Sequence, residues 1–491
     1  MLAEHPPRRC HTTSDAEGAA MLKKPPRSPS PRQTAEPVPG AGIPRMPGGY
    51  PFLGHALQLR FRPLEFVRSL RACGDIVVFR LGPRDAYAVN HPDLIRQMLV
   101  TDAKSFMKGR MFEKGRLVAR NGLFTSEGDF HLRQRRIIQP LFRRAHIQQY
   151  AATMRQIAQA HVDTWRDGQE VRMDRELFDL ALTTVTRVLF STRLDEGRSE
   201  AVCRSLPVLL EGLGRRAVAP IDLLDKLPTV MNYRFGKALS LMQSVIEGII
   251  AEHRVRGADT ADLLAALLAG RDEETGEGMT DEQVYDEVVT TLIAGTETTA
   301  GALSWACYLL SRHPHIQRRL QDELDEQLGD RDITFEDLGK LRFLQQVMAE
   351  TLRLHPSTWM LMRSPLTVVA LGGHVLPAGS TVLFSIYALQ RDPALYPHPE
   401  EFDPDRWAPD RAAQIKRDAY IPFGAGVRGC AGEQFARAEM AVILAVMLRQ
   451  YTLSPASGPP AKPIVRLIPM PSAMPLIVHR RPRGHSFQEA P

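Results

Sequence analysis

The sequence Phe423-Gly-Ala-Gly-Val-Arg-Gly-Cys430-Ala-Gly432 ends a glycine-rich loop on a single cysteine, and an apolar segment with helical periodicity follows it. Glycines allow backbone N–H groups to approach the sulfur, and the start of a helix adds a positive partial charge beside it. Both effects stabilise a thiolate. The loop therefore predicts that Cys430 serves as a charged ligand.

Two other interpretations of the loop compete with this one. Residues 424–429 match the dinucleotide-binding pattern G-x-G-x-x-G, but that pattern requires a preceding strand and an acidic residue about 20 positions later. The residues before the loop form a poor strand, and no acidic residue occurs between Glu439 and Glu489. The second interpretation is a small buried thiol, which is the usual state of a free cysteine.

The number and spacing of the cysteines narrow the choice of ligand. The chain has five, at wide and irregular spacings and without a C-x-x-C pair: Cys10, Cys73, Cys203, Cys307 and Cys430. This pattern is typical of a reducing compartment and offers no disulfide framework. A zinc or iron–sulfur site would need further cysteines nearby, so a lone Cys430 favours a heme iron.

The composition indicates a large globular protein. The chain has 491 residues, of which 44% are hydrophobic and 24% charged, enough for a substantial core. A net charge of +6 suits an acidic partner or a membrane surface as well as a nucleic acid. The basic runs lack interleaved aromatic residues, so we expect no nucleic-acid binding.

The chain divides into a leader and one domain. Residues 1–45 are rich in Pro, Arg and Ser and predict a disordered leader, with neither a signal peptide nor a membrane anchor. Residues 46–485 predict one mainly α domain of the α+β class, in the cytoplasm. Predicted helices include Ile147–Trp165, Leu239–Arg256, Asp281–Arg312 and His315–Leu328. Predicted strands are Asp75–Gly82, Ala86–Asn90, Leu366–Leu371, His374–Leu376 and Thr381–Ile386.

Three further motifs have both a structural and a functional interpretation. Glu350-Thr-Leu-Arg353 alone would be a solvent-exposed ion pair on a helix. Ala294-Gly-Thr-Glu297-Thr298-Thr299 weakens the helix 281–312, and Gly295 is expected to distort it and leave room for a small ligand. The basic run His131-Leu-Arg133-Gln-Arg135-Arg136 alone would be a solvated helix face, although His131 and Arg135 share that face.

Together these motifs resemble the cytochrome P450 family, whose loop pattern F-x-x-G-x-R-x-C-x-G is met at every fixed position by residues 423–432. The resemblance covers about Pro47–Arg481 and implies a P450 fold, a large helical domain with a small β region. It implies heme b (iron protoporphyrin IX) ligated by the Cys430 thiolate, with Phe423 beneath the heme. It also implies that heme propionates are held by His131, Arg135, Arg363 and Arg428.

The resemblance assigns the other motifs as well. Glu350 and Arg353 would form a buried structural network with Arg406, in the segment before the cysteine loop. Thr298 would hydrogen-bond to dioxygen, and Glu297 would supply protons. A monooxygenase is therefore favoured over a non-catalytic heme-binding sensor, which needs neither residue, and over an isomerase or peroxygenase with the P450 fold, which would alter the threonine.

The resemblance further implies a lipophilic substrate and separate electron donors. Candidate pocket residues are Met111, Phe112, Val289, Leu292, Ala294, Trp359 and Leu361. The chain is similar to bacterial enzymes of secondary metabolism that oxidise sesquiterpenes, while fatty acids, steroids and polyketides stay open. About sixty residues follow Cys430, so we expect a separate ferredoxin and ferredoxin reductase, drawn to Arg133, Arg136, Arg143 and Arg144. We also expect a monomer.

Overall fold

The computed structural model describes residues 42–219, 227–256 and 262–482. The leader predicted over residues 1–45 lies almost wholly outside these ranges, as do the last residues of the domain predicted to end at 485. Within the ranges, no helix is both long and apolar enough to cross a bilayer.

Helices make up most of the structure. They are α1 Ala56–Phe61, α2 Pro63–Ala72, α3 Pro92–Arg96, α4 Arg110–Ala119, α5 Gly128–Ile138, α6 Arg144–Val162, α7 Met173–Leu189, α8 Glu196–Val218, α9 Val230–Arg256, α10 Leu263–Ala269, α11 Asp281–Arg312, α12 Pro314–Leu328, α13 Arg342–Leu354, α14 Ile386–Leu389, α15 Pro409–Ala412 and α16 Glu433–Gln450. Short 3-10 turns join several of them, including Phe335–Gly339 and Pro404–Trp407.

The strands form small sheets. They are β1 Ile76–Leu81, β2 Arg84–Val89, β3 Phe106–Met107, β4 Gln169–Arg172, β5 Leu361–Pro365, β6 Val369–Leu371, β7 His374–Leu376, β8 Thr381–Phe384, β9 Tyr451–Pro455, β10 Pro463–Val465, β11 Pro469–Pro471 and β12 Pro475–Arg480. The largest sheet has the order β1-β2-β8-β5-β3, a second has the order β4-β12-β9, and two hairpins pair β6 with β7 and β10 with β11. The predicted mainly α, α+β fold is confirmed.

One predicted strand is wrong in its bounds. The segment Leu366–Leu371 was expected to be continuous, but β5 ends at Pro365 and β6 starts at Val369. Strand β5 pairs with β8 and β3, whereas Leu366 and Val368 are more than half exposed in the bend between the two strands. A run of apolar residues here marks a surface bend, because its backbone leaves the sheet.

Helix α11 passes through the middle of the domain and has the predicted bounds. The Thr280 hydroxyl accepts from the Gln283 N–H, and the Gln283 side chain accepts from the Thr280 N–H, so a capping box fixes its start. Helix α11 packs against α7, α13 and α16. Helix α16, which follows the cysteine loop, is itself buried along most of its length. The two helices therefore hold residues 294–299, called the oxygen motif below, and the cysteine loop in one core.

Candidate active site

The cysteine loop is closed by backbone contacts. The Cys430 N–H donates to the Phe423 carbonyl at 2.8 Å, and Gly424 and Gly426 have positive φ angles of 73° and 69°. A Cβ on Gly426 would also clash with the Leu99 carbonyl oxygen, so only glycine fits there. This geometry holds Cys430 on the wall of an interior cavity of about 310 Å³.

The Cys430 thiol experiences opposing electrostatic effects. Burial raises its pKa most, a hydrogen bond from the Gly432 backbone lowers it, Glu433 raises it and Arg135 lowers it. Helix α16 begins just beyond the cysteine, so its partial positive charge also favours a thiolate. In the ranges described, no three His, Cys, Asp or Glu side chains group as a metal site would need.

Thr298 lines the same cavity on a face of α11 that also carries Ala294. Its hydroxyl donates to the Ala294 carbonyl at 2.5 Å, and its own carbonyl accepts from the Ser357 hydroxyl at 2.9 Å. These contacts fix the Thr298 side chain at the cavity wall. Its hydroxyl oxygen is therefore placed where a small ligand can hydrogen-bond to it.

Gly295 lines the cavity, in keeping with the predicted room for a small ligand, but it does not distort the helix. Helix α11 is an uninterrupted α-helix across the motif, so the expected local distortion is wrong for this structure. A Cβ on Gly295 would lie 2.7 Å from Cγ2 of Val185 on α7. Glycine is needed there because the two helices pack closely.

Glu297 is buried in the protein and does not line the cavity. Glu297 is only 1% exposed, and its Oε2 has no hydrogen-bond partner among the residues described. Burial raises the pKa of Glu297 to about 8, while Arg466 acts in the opposite direction. The carboxyl group therefore holds a proton at neutral pH, as a proton donor must.

Cationic side chains converge at one end of the cavity. Lys108 follows β3, Arg363 lies on β5 and Arg428 belongs to the cysteine loop, and all three line the wall. Burial lowers the pKa of Lys108 to about 7; Glu127 raises it, and Arg428 and Arg363 lower it further. Glu127 lies 3.1 Å from Arg428. Several buried cations beside one carboxylate leave a positive charge that an anionic ligand would balance.

His131 completes this cluster. Its Nδ1 lies 3.2 Å from Lys108 Nζ, 3.2 Å from the Leu123 carbonyl oxygen and 3.3 Å from Ser126 Oγ. Burial and then Lys108 lower the pKa of His131 to about 3, so the ring is neutral. Its other nitrogen, Nε2, is buried and makes no hydrogen bond within the described structure. A polar ring nitrogen without a protein partner, beside several cations, fits the two propionates of a heme.

Arg135 and Phe423 lie beside the cysteine loop. Arg135 Nη1 donates to the Gly429 carbonyl at 2.7 Å, and its Nε donates to Gln139. The guanidinium of Arg437 lies 4.7 Å from the centre of the Phe423 ring. Both predicted heme-contacting residues line the cavity. The predicted contact of Arg135 with a propionate stays a prediction.

The structure brings Glu350, Arg353 and Arg406 together in the core. Arg353 donates to both Glu350 carboxylate oxygens at 2.8 Å, and Arg406 Nε lies 3.3 Å from Oε1. Arg353 and Arg406 also donate to backbone carbonyls of residues 390–401. Trp407 Nε1 donates to Glu350 Oε2 at 2.9 Å. The network therefore ties α13 to the segment that leads into the cysteine loop.

The family follows from comparison with known proteins. A family model described as Cytochrome P450 matches residues 44–475. The chain belongs to the cytochrome P450 family. This P450 is 41% identical over 412 residues to the cyclooctat-9-en-7-ol 5-monooxygenase of Streptomyces melanosporofaciens, a match covering 84% of this chain and 90% of the relative.

Two further comparisons agree. The P450 is 39% identical over 419 residues to the pentalenene oxygenase of Streptomyces avermitilis, covering 85% of this chain and 93% of the relative. The crystal structure of the cytochrome P450DA heme domain matches with a TM-score of 0.80 at 28% identity, covering 90% of this chain and 98% of that one. The predictions of the family, of a monooxygenase and of heme b are confirmed.

Heme b, when bound, supplies the iron at which dioxygen is activated. We expect Cys430 to ligate the iron from one side of the cavity. His131, Arg363 and Arg428 would hold the propionates, and Lys108 would join them. Thr298 and Ala294 lie on the α11 wall of the same cavity.

Part of the predicted substrate pocket is wrong. Phe112, Ala294 and Leu361 line the cavity of this P450, but four other candidates do not. Met111 and Trp359 line a separate, smaller cavity of about 40 Å³. Val289 and Leu292 are buried in the main core, because the cavity-facing side of α11 carries residues 287, 290, 291, 294, 295, 298, 299 and 302 instead.

The basic surface is also more occupied than expected. Arg133 lies 2.9 Å from Glu277, and Arg136 lies 2.7 Å from Asp272, so both are paired with the loop before α11. The prediction that they form an open docking surface is wrong, because carboxylates of the same chain neutralise them. Arg143 and Arg144 are exposed.

Sequence reasoning missed three buried polar residues of this P450. Lys108 and Glu287 line the cavity, and Glu439 lies in α16, where burial raises its pKa well above its ordinary value and Thr299 opposes the shift. Glu287 could have been found, because its helical spacing from Ala294 and Thr298 places all three on one face of the helix. No local pattern marks Lys108.

Proposed function

We propose that this P450 hydroxylates a terpene, with a sesquiterpene as the first candidate and a separate ferredoxin and its reductase as electron donors. In the overall reaction, R–H, O2, two electrons and two protons yield R–OH and water. The observation that carries the proposal is a single cavity that joins Cys430 to Thr298 and is otherwise mostly apolar. Its apolar walls include Phe112, Phe124, Leu189, Ile138 and Leu361.

Apolar walls favour a hydrocarbon-rich substrate, since each buried methylene contributes about 0.8 kcal/mol of transfer free energy. The names of both Streptomyces relatives denote oxidation of terpenes, and each match extends over more than four fifths of this chain. Wall chemistry and relatedness therefore support the same substrate class.

The side of the cysteine loop away from the cavity supports a separate, acidic electron donor. Arg143 and Arg144 are exposed at the start of α6, and a surface depression joins Arg143 to Cys430. Positive charge near the heme ligand would attract and orient an acidic protein such as a ferredoxin. No disulfide joins the four cysteines in the described ranges, which agrees with a cytoplasmic location.

Two spectroscopic measurements test the proposal on the purified protein. The reduced protein with carbon monoxide should show the red-shifted band of a thiolate-ligated heme; a band typical of histidine ligation would contradict the assignment of Cys430. Terpenes such as cedrene and farnesene should shift the heme spin state at lower concentration than lauric acid or testosterone. Tighter binding of the fatty acid or steroid would overturn the terpene assignment.

A further inference from the structure

A carboxylate oxygen on the α11 wall of the cavity has no protein partner. Glu287 is 1% exposed and lines the cavity. Its Oε1 is buried and forms no hydrogen bond within the ranges described. The Thr290 hydroxyl, one turn further along, packs instead against Gly122, where an added Cβ would lie 2.2 Å from it. Buried polar atoms are nearly always hydrogen-bonded in native proteins, so the Glu287 oxygen calls for a ligand.

A structural role explains only part of the Glu287 side chain. Its carboxyl group forms a hydrogen bond with the backbone of Leu123, in the loop between α4 and α5. The neighbouring Asp286 does the same for that loop, accepting from the Asn121 N–H at 3.0 Å. Asp286 does not line the cavity, whereas Glu287 does. One Glu287 oxygen therefore has no role in holding the loop and is available to a ligand in the cavity.

The protonation state of Glu287 suits a neutral partner. Burial raises its pKa to about 8, the Leu123 backbone lowers it, Asp286 raises it and Lys108 lowers it. At pH 7 the group is mostly a neutral carboxylic acid, which can both donate and accept a hydrogen bond. A hydroxyl group has the same capacity, so the two can pair without burying a net charge.

We propose that Glu287 binds a hydroxyl group already present on the substrate, so that this P450 acts on a terpene alcohol. The inference rests on the proposed terpene function and narrows it. An earlier hydroxylation, or a cyclisation ended by capture of water, must then supply the substrate.

The position of Glu287 also orients the substrate. It precedes Ala294 by seven residues, or about 10 Å along an α-helix that rises ~1.5 Å per residue. Ala294 begins the oxygen motif and lies one turn before Thr298. The carbon that is oxidised should therefore lie at the end of the molecule remote from the anchored hydroxyl, and the product should be a diol and not a ketone.

The test compares alcohols with their hydrocarbons on the purified holoenzyme. Spin-state titrations would use two pairs of probes, cedrene with cedrol and abietadiene with abietadienol. The wild type should bind the alcohol of at least one pair more tightly. Glu287→Leu should lower the ratio of alcohol to hydrocarbon affinity by about tenfold, the effect of losing one well-formed buried hydrogen bond. Glu287→Gln, which keeps a donor and an acceptor, should retain most of the preference.

Asp286→Asn is the matched control, because it perturbs the same loop without reaching the cavity. It should change thermal stability but not the ratio of alcohol to hydrocarbon affinity. If both Glu287 variants keep the wild-type ratio of alcohol to hydrocarbon affinity, the inference is overturned. Binding of the hydrocarbons would then still support the terpene proposal. A wild type that binds no terpene of either kind would remove both proposals together.

Discussion

Thr298 and Glu297 are neighbours in sequence but occupy different environments. Both residues belong to α11. The Thr298 side chain lies on the cavity wall, whereas the Glu297 side chain is buried in the protein. A proton from Glu297 therefore cannot pass directly into the cavity from that carboxyl group. Of the two, Thr298 is the residue that a ligand in the cavity can reach, and its hydroxyl donates to the Ala294 carbonyl.

Replacing Thr298 separates its hydroxyl from its bulk. Thr298→Ala removes both the hydroxyl and the methyl group, and with the hydroxyl it loses the group that can hold and relay a proton, so product formed per NADPH should fall by about tenfold or more while hydrogen peroxide rises. Thr298→Ser keeps the hydroxyl and should stay close to the wild type. Measuring product, NADPH and peroxide in one reaction checks this; unchanged coupling in Thr298→Ala would contradict the role.

Glu297 should leave a signature in stability as a function of pH. Its pKa is raised from 4.5 to about 8 by burial, so between these values the unfolded chain has released a proton that the folded protein still holds. Its contribution to stability is present below pH 4.5 and is lost as pH rises through 8, at up to about 1.4 kcal/mol per pH unit. Glu297→Gln removes this loss.

Thermal unfolding measured from pH 5 to 8 should therefore show Glu297→Gln gaining stability relative to the wild type as pH rises. Glu287→Gln and Glu439→Gln, which also replace buried carboxyl groups with raised pKa values, provide comparisons at other sites. A difference between Glu297→Gln and the wild type that does not vary with pH would show that Glu297 titrates normally.

At the scale of the elements, the Glu350 carboxylate joins helix α13 to the segment before the cysteine loop. Glu350 accepts from Arg353, Arg406 and Trp407 at once. Glu350→Ala would leave two buried guanidinium groups unpaired, at a cost of about 3 to 5 kcal/mol. Because this segment leads into the Cys430 loop, the purified variant should contain little heme.

The ratio of heme to protein measures this directly. Glu401→Ala is a suitable control, since the exposed Glu401 side chain lies in the same segment while only its backbone carbonyl meets Arg353. Glu350→Gln keeps the volume of the side chain and one acceptor oxygen. Its heme content should lie between those of Glu350→Ala and Glu401→Ala. Full heme content in Glu350→Ala would show that the network does not support the loop.

The elements also show where sequence reasoning succeeded. The bounds of α11 were predictable because Thr280 and Gln283 form a local capping box and Arg312 precedes a proline-bounded break. The spacing of Glu350 and Arg353 alone predicted an exposed ion pair, and their burial followed only from the resemblance to the family. In contrast, the faces of α11 were misjudged at Val289 and Leu292, because both flanks of a central helix are apolar and only tertiary packing decides which one meets the cavity.

Contacts distant in sequence were the hardest to predict. Lys108 meets His131 across 23 residues, and Arg428 meets Glu127 across 301, so neither pair leaves a periodic signal. The same holds for Arg136 and Asp272, which the fold pairs across 136 residues. Motifs fixed by local geometry were therefore found, whereas the charge balance around them required the structure.

At the scale of the whole molecule, that charge balance decides where an electron donor can dock. Arg133 and Arg136 are neutralised by Glu277 and Asp272, which leaves Arg143 as the exposed cation in the depression beside Cys430. Glu273 and Glu433 line the same depression, and Glu433 is paired with Arg437. An acidic ferredoxin would be steered there by long-range attraction, which is screened by salt.

Arg143→Glu should therefore slow reduction of the P450 by an acidic ferredoxin by about tenfold at low ionic strength, and the difference should shrink as salt is added. Arg84→Glu makes the same charge change at an exposed position in the β1–β2 hairpin and should leave the rate nearly unchanged. The rate of reduction is measured by stopped flow under carbon monoxide. Dithionite, a donor that needs no docking surface, serves as the control: a variant that is slow with ferredoxin but normal with dithionite has impaired docking and an intact heme. Equal slowing by both variants would mean that net charge matters and that Arg143 marks no specific site.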